Sequence, residues 1–579
     1  MKSKKAEVRK KTAAAPAIAT GAPAWWVWAA AALGAIIAAF WVYSPALRGP
    51  FLFDDTTLPF ALPHFAAPLK AWLRSNRPVL MFTYWINARL SGDDTYSYHV
   101  VNIVIHCVAS GLVFLMIRRL LEWSGAEASR RTLLAGFAAG IFLLHPLQTE
   151  AVAYLAGRSE ALSVTFVFAA FTIFLYRRET VATWNVVVAV LLLFGLALLS
   201  KEHTIVLPAI LLLTDFWWNP GFSFKGVRAN WRLYAPIALG AVGGVALFWK
   251  LILSAPTAGF GLKDLTWYQY FFTQCRAIFV YLRLFFLPTG QRVDWDFPIS
   301  KTLFDHGSIV GLAVLLALCA VAWHYRRRFP LACYGFFLFL VLMAPTSSIL
   351  PIRDPIAERR MYFAMPGLLL IVVDVLSRIK VERKALAVSC AVIVLMLAGA
   401  TYARAGMWSD AVKLWEDTVA KSPDKARVHF QLGFAYFDEN QFGRAIEEFE
   451  KTAKLDTPTY NLLIDWALAY DGLNRHDDAM AKLREAAGME RTAHVYTQIA
   501  KVYAEQQRWP DALEALNTAE KIDPKFAMIY NYRGKIHYKN HELAAAAADY
   551  QHALLLDPSL ADAREELASV ETLLLRGGH

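Results

Sequence analysis

Two adjacent carboxylates, Asp54 and Asp55, follow the first apolar stretch of the chain in the run Phe51-Leu-Phe-Asp-Asp-Thr56. Beside a lipid surface such groups repel each other and lose water. Both effects raise a carboxylate's proton affinity and strengthen it as a general base. The same pair would alternatively hold a divalent metal, and standing alone it would read as an ordinary solvated loop. It does not stand alone. Arg77-Pro78 comes next, then Tyr98-His99 with Asn102 and His106, which share one helical face at i, i+3 and i+7. That stripe serves a site or is hydrogen-bonded packing between helices. His145…Thr149-Glu150, Gly157-Arg158-Ser-Glu160, Ser200-Lys201-Glu202-His203 and Arg353-Asp354…Glu358-Arg359-Arg360-Met-Tyr362 complete the series. An ionisable residue in or beside a membrane core is costly to keep, so each is a site candidate. Carboxylates for a base and Arg or Lys for an anion suit transfer from a phosphate-linked donor. The cations would hold the leaving phosphate, and a carboxylate would take the proton of the attacking hydroxyl.

The elements that must position these residues are membrane helices. Of 579 residues, 57% are hydrophobic and 18% charged, against about a quarter charged in soluble domains. The net charge of +11 divides into −8 from Ser409 onward and +19 before it. Long apolar runs punctuate the basic part, so its charge reads as orientation signal and lipid-phosphate contact, with no nucleic-acid partner. The five cysteines, Cys107, Cys275, Cys319, Cys333 and Cys390, all lie in apolar segments, at spacings that fit no zinc site or disulfide framework.

Residues 1–23 are basic and Ala-rich, expected as a disordered cytoplasmic tail. Eleven spans are expected within residues 24–407, near 25–43, 98–117, 132–146, 160–176, 183–199, 203–218, 233–253, 307–325, 331–350, 361–377 and 385–403. With eleven crossings the Arg/Lys-rich connections fall on the cytoplasmic side and every polar cluster above falls outside. Residues 271–288 are apolar but carry Arg276 and Arg283 on one face, which predicts an interfacial or re-entrant helix. No nucleotide is available outside, so a donor used there would be lipid-linked.

From residue 408 to 579 the pattern changes. Ala411, Ala445, Ala479, Ala512 and Ala546 recur at steps of 33 or 34, each followed four residues later by Trp415, Phe449, Leu483, Leu516 or Tyr550. Five in-register matches resemble the tetratricopeptide repeat, a helix–turn–helix of 34 residues. Counting back from Ala411 places the first helix of the first unit inside the last membrane span. The span is therefore expected to run straight into an α-solenoid whose concave face binds protein.

The order Phe53-Asp54-Asp55, Arg77-Pro78, Tyr98-His99…Asn102, His145-Pro146…Thr149-Glu150…Gly157-Arg158, Ser200-Lys201-Glu202 and Glu358-Arg359…Tyr362 resembles the transmembrane-and-tetratricopeptide-repeat O-mannosyltransferases, of the GT-C class of membrane glycosyltransferases. The resemblance covers residues 51–370, and the repeats reproduce the family's domain order. It implies an all-α fold: a polytopic GT-C domain of about eleven transmembrane helices, then the solenoid. It also implies a polyprenyl-phosphate sugar donor, an inverting single displacement without a cofactor, and a Ser or Thr acceptor on a secreted or envelope protein recruited by the repeats. By the same resemblance Asp54 becomes the base with Asp55 beside it. Arg77, Arg158, Lys201, Arg353 and Arg359 become ligands of the donor phosphate. His99, His145, Glu150, Glu160, Glu202, His203, Glu358 and Tyr362 become supporting groups. The basic N-terminus and compact loops point to the bacterial inner membrane, with the repeats periplasmic. The alternative is a non-catalytic, membrane-anchored repeat scaffold for envelope assembly.

Overall fold

The computed structural model describes residues 25–58, 68–254 and 258–577. The basic tail expected at 1–23 lies outside them. The described residues are helical, with no strand beyond a single bridge between Ala258 and Ile352.

Each of the eleven apolar stretches forms a helix: Trp25–Tyr43, Thr95–Trp123, Ala128–Leu144, Arg158–Leu175, Trp184–Leu198, Leu207–Trp218, Trp231–Ser254, Ser308–Tyr325, Pro330–Met343, Arg360–Arg378 and Arg383–Ala405. Among the described residues, six helices are long and apolar enough to cross a membrane, or seven if Ala128–Leu144 and Pro146–Val152, bent by 51°, count as one span. Trp184–Leu198 and Pro330–Met343 are apolar but have only 15 and 14 residues. At 1.5 Å per residue each reaches about 22 Å, short of a roughly 30 Å hydrocarbon core. The expected 331–350 span stops early because Ala344-Pro345-Thr346 cannot continue a helix. Residues 267–286 form one unbroken helix, opened by a reciprocal Thr266–Gln269 cap, and it is not among the helices apolar enough to span. Its Arg276 leans onto the Pro298 carbonyl and the Ser300 hydroxyl.

From Ala411 to Gly577 the chain is a stack of paired helices closed by Ala561–Gly577. Ala445, Ala479, Ala512 and Ala546 are fully buried where the two helices of a unit cross. Gly433 lies opposite Phe449, where an added Cβ would meet the ring at 2.6 Å.

The expected continuity of membrane helix and solenoid is observed, with one 3-10 turn, Gly406–Ser409, between Arg383–Ala405 and Ala411–Lys421. Loop 291–296 then clamps the first units. Lys421 donates to the Gln291 carbonyl (2.8 Å) and Ser422 to the Asp294 carbonyl (2.9 Å). Buried Asp294 takes Arg427 at 2.6 Å and Lys425 as well, and Arg427 reaches Asp354 at 2.6 Å. Removing a buried carboxylate's only cations would be costly, so this contact holds the solenoid against the ends of the membrane helices. Phe53 and Val293 pack against both the membrane core and the repeat core.

Candidate active site

The loop carrying the carboxylate pair is a short 3-10 turn, Phe53–Thr57. Phe53 sits at φ 51°, in the left-handed region a bulky residue avoids. That conformation costs on the order of 1–2 kcal/mol and persists only where surroundings over-determine it. Here they do. Asp55 turns inward, 1% exposed, and its two oxygens accept main-chain N–H groups of Leu52 (3.1 Å) and Ala156 (2.7 Å). The Phe53 ring is held edge-on by Trp415 at 5.7 Å and covered by Arg427. The Asp54 N–H donates to the Tyr154 hydroxyl at 2.8 Å. Gly157 permits the facing turn: a Cβ there would meet the Glu150 carbonyl at 2.6 Å. The consequence is an exposed Asp54 beside a buried Asp55.

Burial pushes Asp55 up to about 8, against its main-chain hydrogen bonds, with a smaller push from Asp54. The raised proton affinity expected of the pair thus belongs to Asp55, which has no open face. Both Asp55 oxygens are engaged by main-chain N–H groups, so Asp54 alone of the pair presents its carboxylate outward. Among the described residues no group of three or more His, Cys, Asp or Glu is arranged for a metal.

Asp54 lies within electrostatic reach of Arg359 and Tyr154. Arg359 caps the helix Arg360–Arg378 and donates from its main chain to Glu150 at 2.8 Å, with its guanidinium on the same carboxylate. Burial alone would weaken the Arg359 charge, but Glu150 outweighs it and raises the proton affinity of the guanidinium. Lys201 feels both Arg359 and Arg77 and sits 2.8 Å from Glu160, with burial lowering its proton affinity. Arg77 grips Glu202 with two nitrogens, at 3.0 and 2.8 Å; burial opposes the Glu202 charge, and Arg77 prevails and holds it below the ordinary carboxylate value. His203 Nε2 lies 3.1 Å from the other Glu160 oxygen. Arg77, Lys201 and Arg359 keep 37%, 18% and 28% of their side chains exposed. Each of these three cations therefore already carries a glutamate partner, which orders it while leaving one flank open. All stand at helix ends: Arg77 before Pro78–Ser91, Lys201 after Trp184–Leu198, Arg359 before Arg360–Arg378.

The other candidates lie elsewhere. Arg158 is fully buried among Asn102 (2.7 Å), Asn87 (2.7 Å) and the Tyr98 carbonyl (2.9 Å), with its guanidinium over Tyr84. It has no surface to offer a ligand, because its hydrogen-bonding groups are spent holding three segments together. His106 joins the Tyr362 hydroxyl to the Leu143 carbonyl, both at 3.0 Å, and His99 faces the Gly49 carbonyl at 3.3 Å. The polar stripe is thus interhelical packing, and Tyr362 belongs to it. His145 caps its own turn and donates to the Phe285 carbonyl. Glu358 is buried under Gln291 and the Arg292 N–H. Arg353 pairs loosely with Asp264 at 3.5 Å, apart from the other cations. Sequence reading missed Tyr154, whose ring stacks on Trp408 beneath the repeats; it lies in the turn just past the short helix Thr149–Val152, and its closeness in sequence to Glu150 is the one signal for it. It also missed loop 291–296, which nothing in its local composition marks.

The chain is similar to known proteins both in its repeats and beyond them. Tetratricopeptide-repeat family profiles match residues 397–458 and 500–541, the first beginning inside the last membrane helix. A protein O-mannosyl-transferase of Caenorhabditis elegans is 28% identical over 403 residues, covering 67% of this chain and 54% of the relative. The chain resembles the protein O-mannosyl-transferases. One from Mus musculus is 24% identical over 555 residues, covering 86% of this chain and 59% of the relative. One from Drosophila melanogaster is 28% identical over 325 residues, covering 49% and 37%. The chain spans little more than half the length of the worm and mouse O-mannosyl-transferases. The alignments with those two are longer than the repeat domain, so the resemblance extends into the membrane half.

Proposed function

We propose that this chain is a membrane glycosyltransferase that moves a hexose, mannose or a close relative, from a polyprenyl-phosphate carrier to a Ser or Thr hydroxyl of a protein on the non-cytoplasmic face. One observation carries the reading. Asp54 is held outward by a strained backbone, within electrostatic reach of Arg359, which is itself within reach of Lys201 and through it of Arg77, and Asp54 lines a cavity shared with the repeat solenoid. The names of the relatives supply the sugar and the protein acceptor.

In this mechanism the acceptor hydroxyl oxygen attacks the anomeric carbon as the bond from that carbon to the carrier phosphate oxygen breaks. Asp54 takes the hydroxyl proton, and the electron pair of the broken bond leaves with the phosphate. Attack opposite the leaving group inverts the anomeric centre. Arg359, Lys201 and Arg77 stabilise the charge growing on the phosphate, which is worth most where it develops. Their glutamate partners fix their orientation beforehand, so little reorganisation remains at the moment of reaction. A scaffold without chemistry would have no use for those cations.

The test is transfer from a polyprenyl-phosphate mannose to a Thr-containing peptide by the full chain in proteoliposomes. Asp54→Asn is expected to lose a factor of about 10²–10⁴, the usual contribution of a general base. Transfer at the wild-type rate by that variant would refute the assignment.

A further inference from the structure

Between the Phe51–Thr56 turn and the inner helices of the repeats lies a cavity of about 380 Å³, within the roughly 300–1,000 Å³ range of ligand clefts. Phe53 and Asp54 line its membrane end, so it is continuous with the site described above. Trp415, Phe430 and Phe434 give it aromatic walls, and Asp438 and Asp465 give it two more carboxylates. The last four side chains come from Ala426–Asp438 and Tyr460–Gly472, the first helices of consecutive units, which face the concave side.

These two acids differ from the paired carboxylates of the solenoid. Asp417 is paired with Arg404 and Lys421, Glu448 with His429 and Lys451, Asp471 with Lys501, and Asp549 with Arg533. Asp438 and Asp465 have no hydrogen-bond or ion-pair partner among the described residues. Burial, then the Asp438 charge, raises Asp465 to about 7. Asp438 is exposed and Asp465 half-buried; a half-buried carboxylate without a cation is costly to keep, and aromatic faces beside it attract cations.

We propose that this cavity is the acceptor site and that it selects extended polypeptide segments bearing a Lys or Arg near the modified Ser or Thr. The proposal rests on the transferase reading for the hydroxyl and on the cavity for the cation. The basic side chain would lie between Asp438 and Asp465 with its stem on Phe430 or Phe434. The hydroxyl would then stand at Asp54.

Binding decides it, measured without any sugar donor on the full chain in detergent. The probes are fluorescent Thr peptides identical except for a neighbouring Lys, Ala or Glu. The Lys peptide is expected to bind about tenfold tighter than the Ala peptide, the Glu peptide weaker still, as for charge pairs in a partly desolvated groove. D438N/D465N is expected to abolish the Lys preference. Equal binding of the three peptides, or a preference that survives in that variant, would overturn the proposal. So would a Lys preference removed by millimolar Ca²⁺ or Mg²⁺ together with tight binding of either ion alone, since the acids would then be a cation site. If the double variant melts below the wild type, D465K serves instead and is expected to favour the Glu peptide; an unchanged Lys preference there would overturn the proposal equally. A Lys preference without any transfer would uphold the cavity and sink the transferase reading, so the two failures are distinct.

Discussion

Two polar regions of the membrane half stood out in the sequence for the same reason, ionisable groups among apolar ones, and they do different things. Arg158, Asn102, His106 and Tyr362 are buried in the bundle, and their hydrogen bonds are made inside it. Asp54, Arg77, Lys201 and Arg359 sit where helices begin or end, and each keeps a face open. Burial, and not place along the helix, separates glue from chemistry, since Arg158 opens its own helix as Arg359 caps its own, yet is fully enclosed. An enclosed side chain must satisfy itself against its neighbours, because no water reaches it. One with an open flank can be held by a single partner and still meet a ligand.

The sharpest way to break this contrast is Arg158→Leu. It strands the Asn87 and Asn102 oxygens and the Tyr98 carbonyl in a dry interior. The expected cost is about 3–5 kcal/mol, read as a large fall in melting temperature and in folded yield. A stably folded but inactive variant would make Arg158 a site residue after all. Arg77→Gln tests the other side. Its pair with Glu202 is more than a third exposed, so stability should change by less than about 1 kcal/mol. The KM for the lipid-linked donor should rise about tenfold, the effect of one lost charge contact. A loss of stability with unchanged KM would assign Arg77 to the glue.

A smaller effect is expected at the hinge between the two halves. Asp294→Asn weakens the grip on Lys425 and Arg427 and should loosen the solenoid, seen as faster hydrogen exchange in residues 411–440. Transfer to a protein acceptor should then fall several-fold more than transfer to a short peptide. The smallest effect is a pH dependence of the loop. Asp55 is raised to about 8 from an unfolded value of ~3.9. A raised carboxylate contributes stability that is full below the unfolded value and is lost as pH rises through the folded one. Protection of the Leu52 and Ala156 amides, corrected for intrinsic exchange, should therefore decline between about pH 4 and 8. Asp55→Asn should flatten that decline.

The repeats and the helical membrane domain were legible because each rests on a period in the chain: buried alanines every 33 or 34 residues and long apolar runs. The lengths of the individual helices were less so, because Pro345 and the Lys201–His203 turn shorten segments whose composition alone looks continuous. The carboxylate pair was visible, but not which member faces out. That choice is made by the backbone of Phe53 and the N–H of Ala156, a hundred residues from Asp55. The glutamates that partner the three cations were seen as residues but not as partners, since Glu150 and Arg359 meet only through the fold. Asp438 and Asp465 were invisible as a pair for the same reason: they come from different repeat units, and their isolation from any cation shows only when the solenoid is closed.

The central claim is that of two neighbouring carboxylates one is chemical and the other structural. Asp54→Asn and Asp55→Asn should be compared side by side in proteoliposomes, with mannose transfer to a Thr peptide and the melting temperature measured on the same samples. The account predicts that Asp54→Asn melts like the wild type and transfers at least a hundredfold more slowly. Asp55→Asn should melt several degrees lower and keep transferring in the fraction that is folded. A fully active Asp54→Asn beside a stable but inactive Asp55→Asn would contradict it.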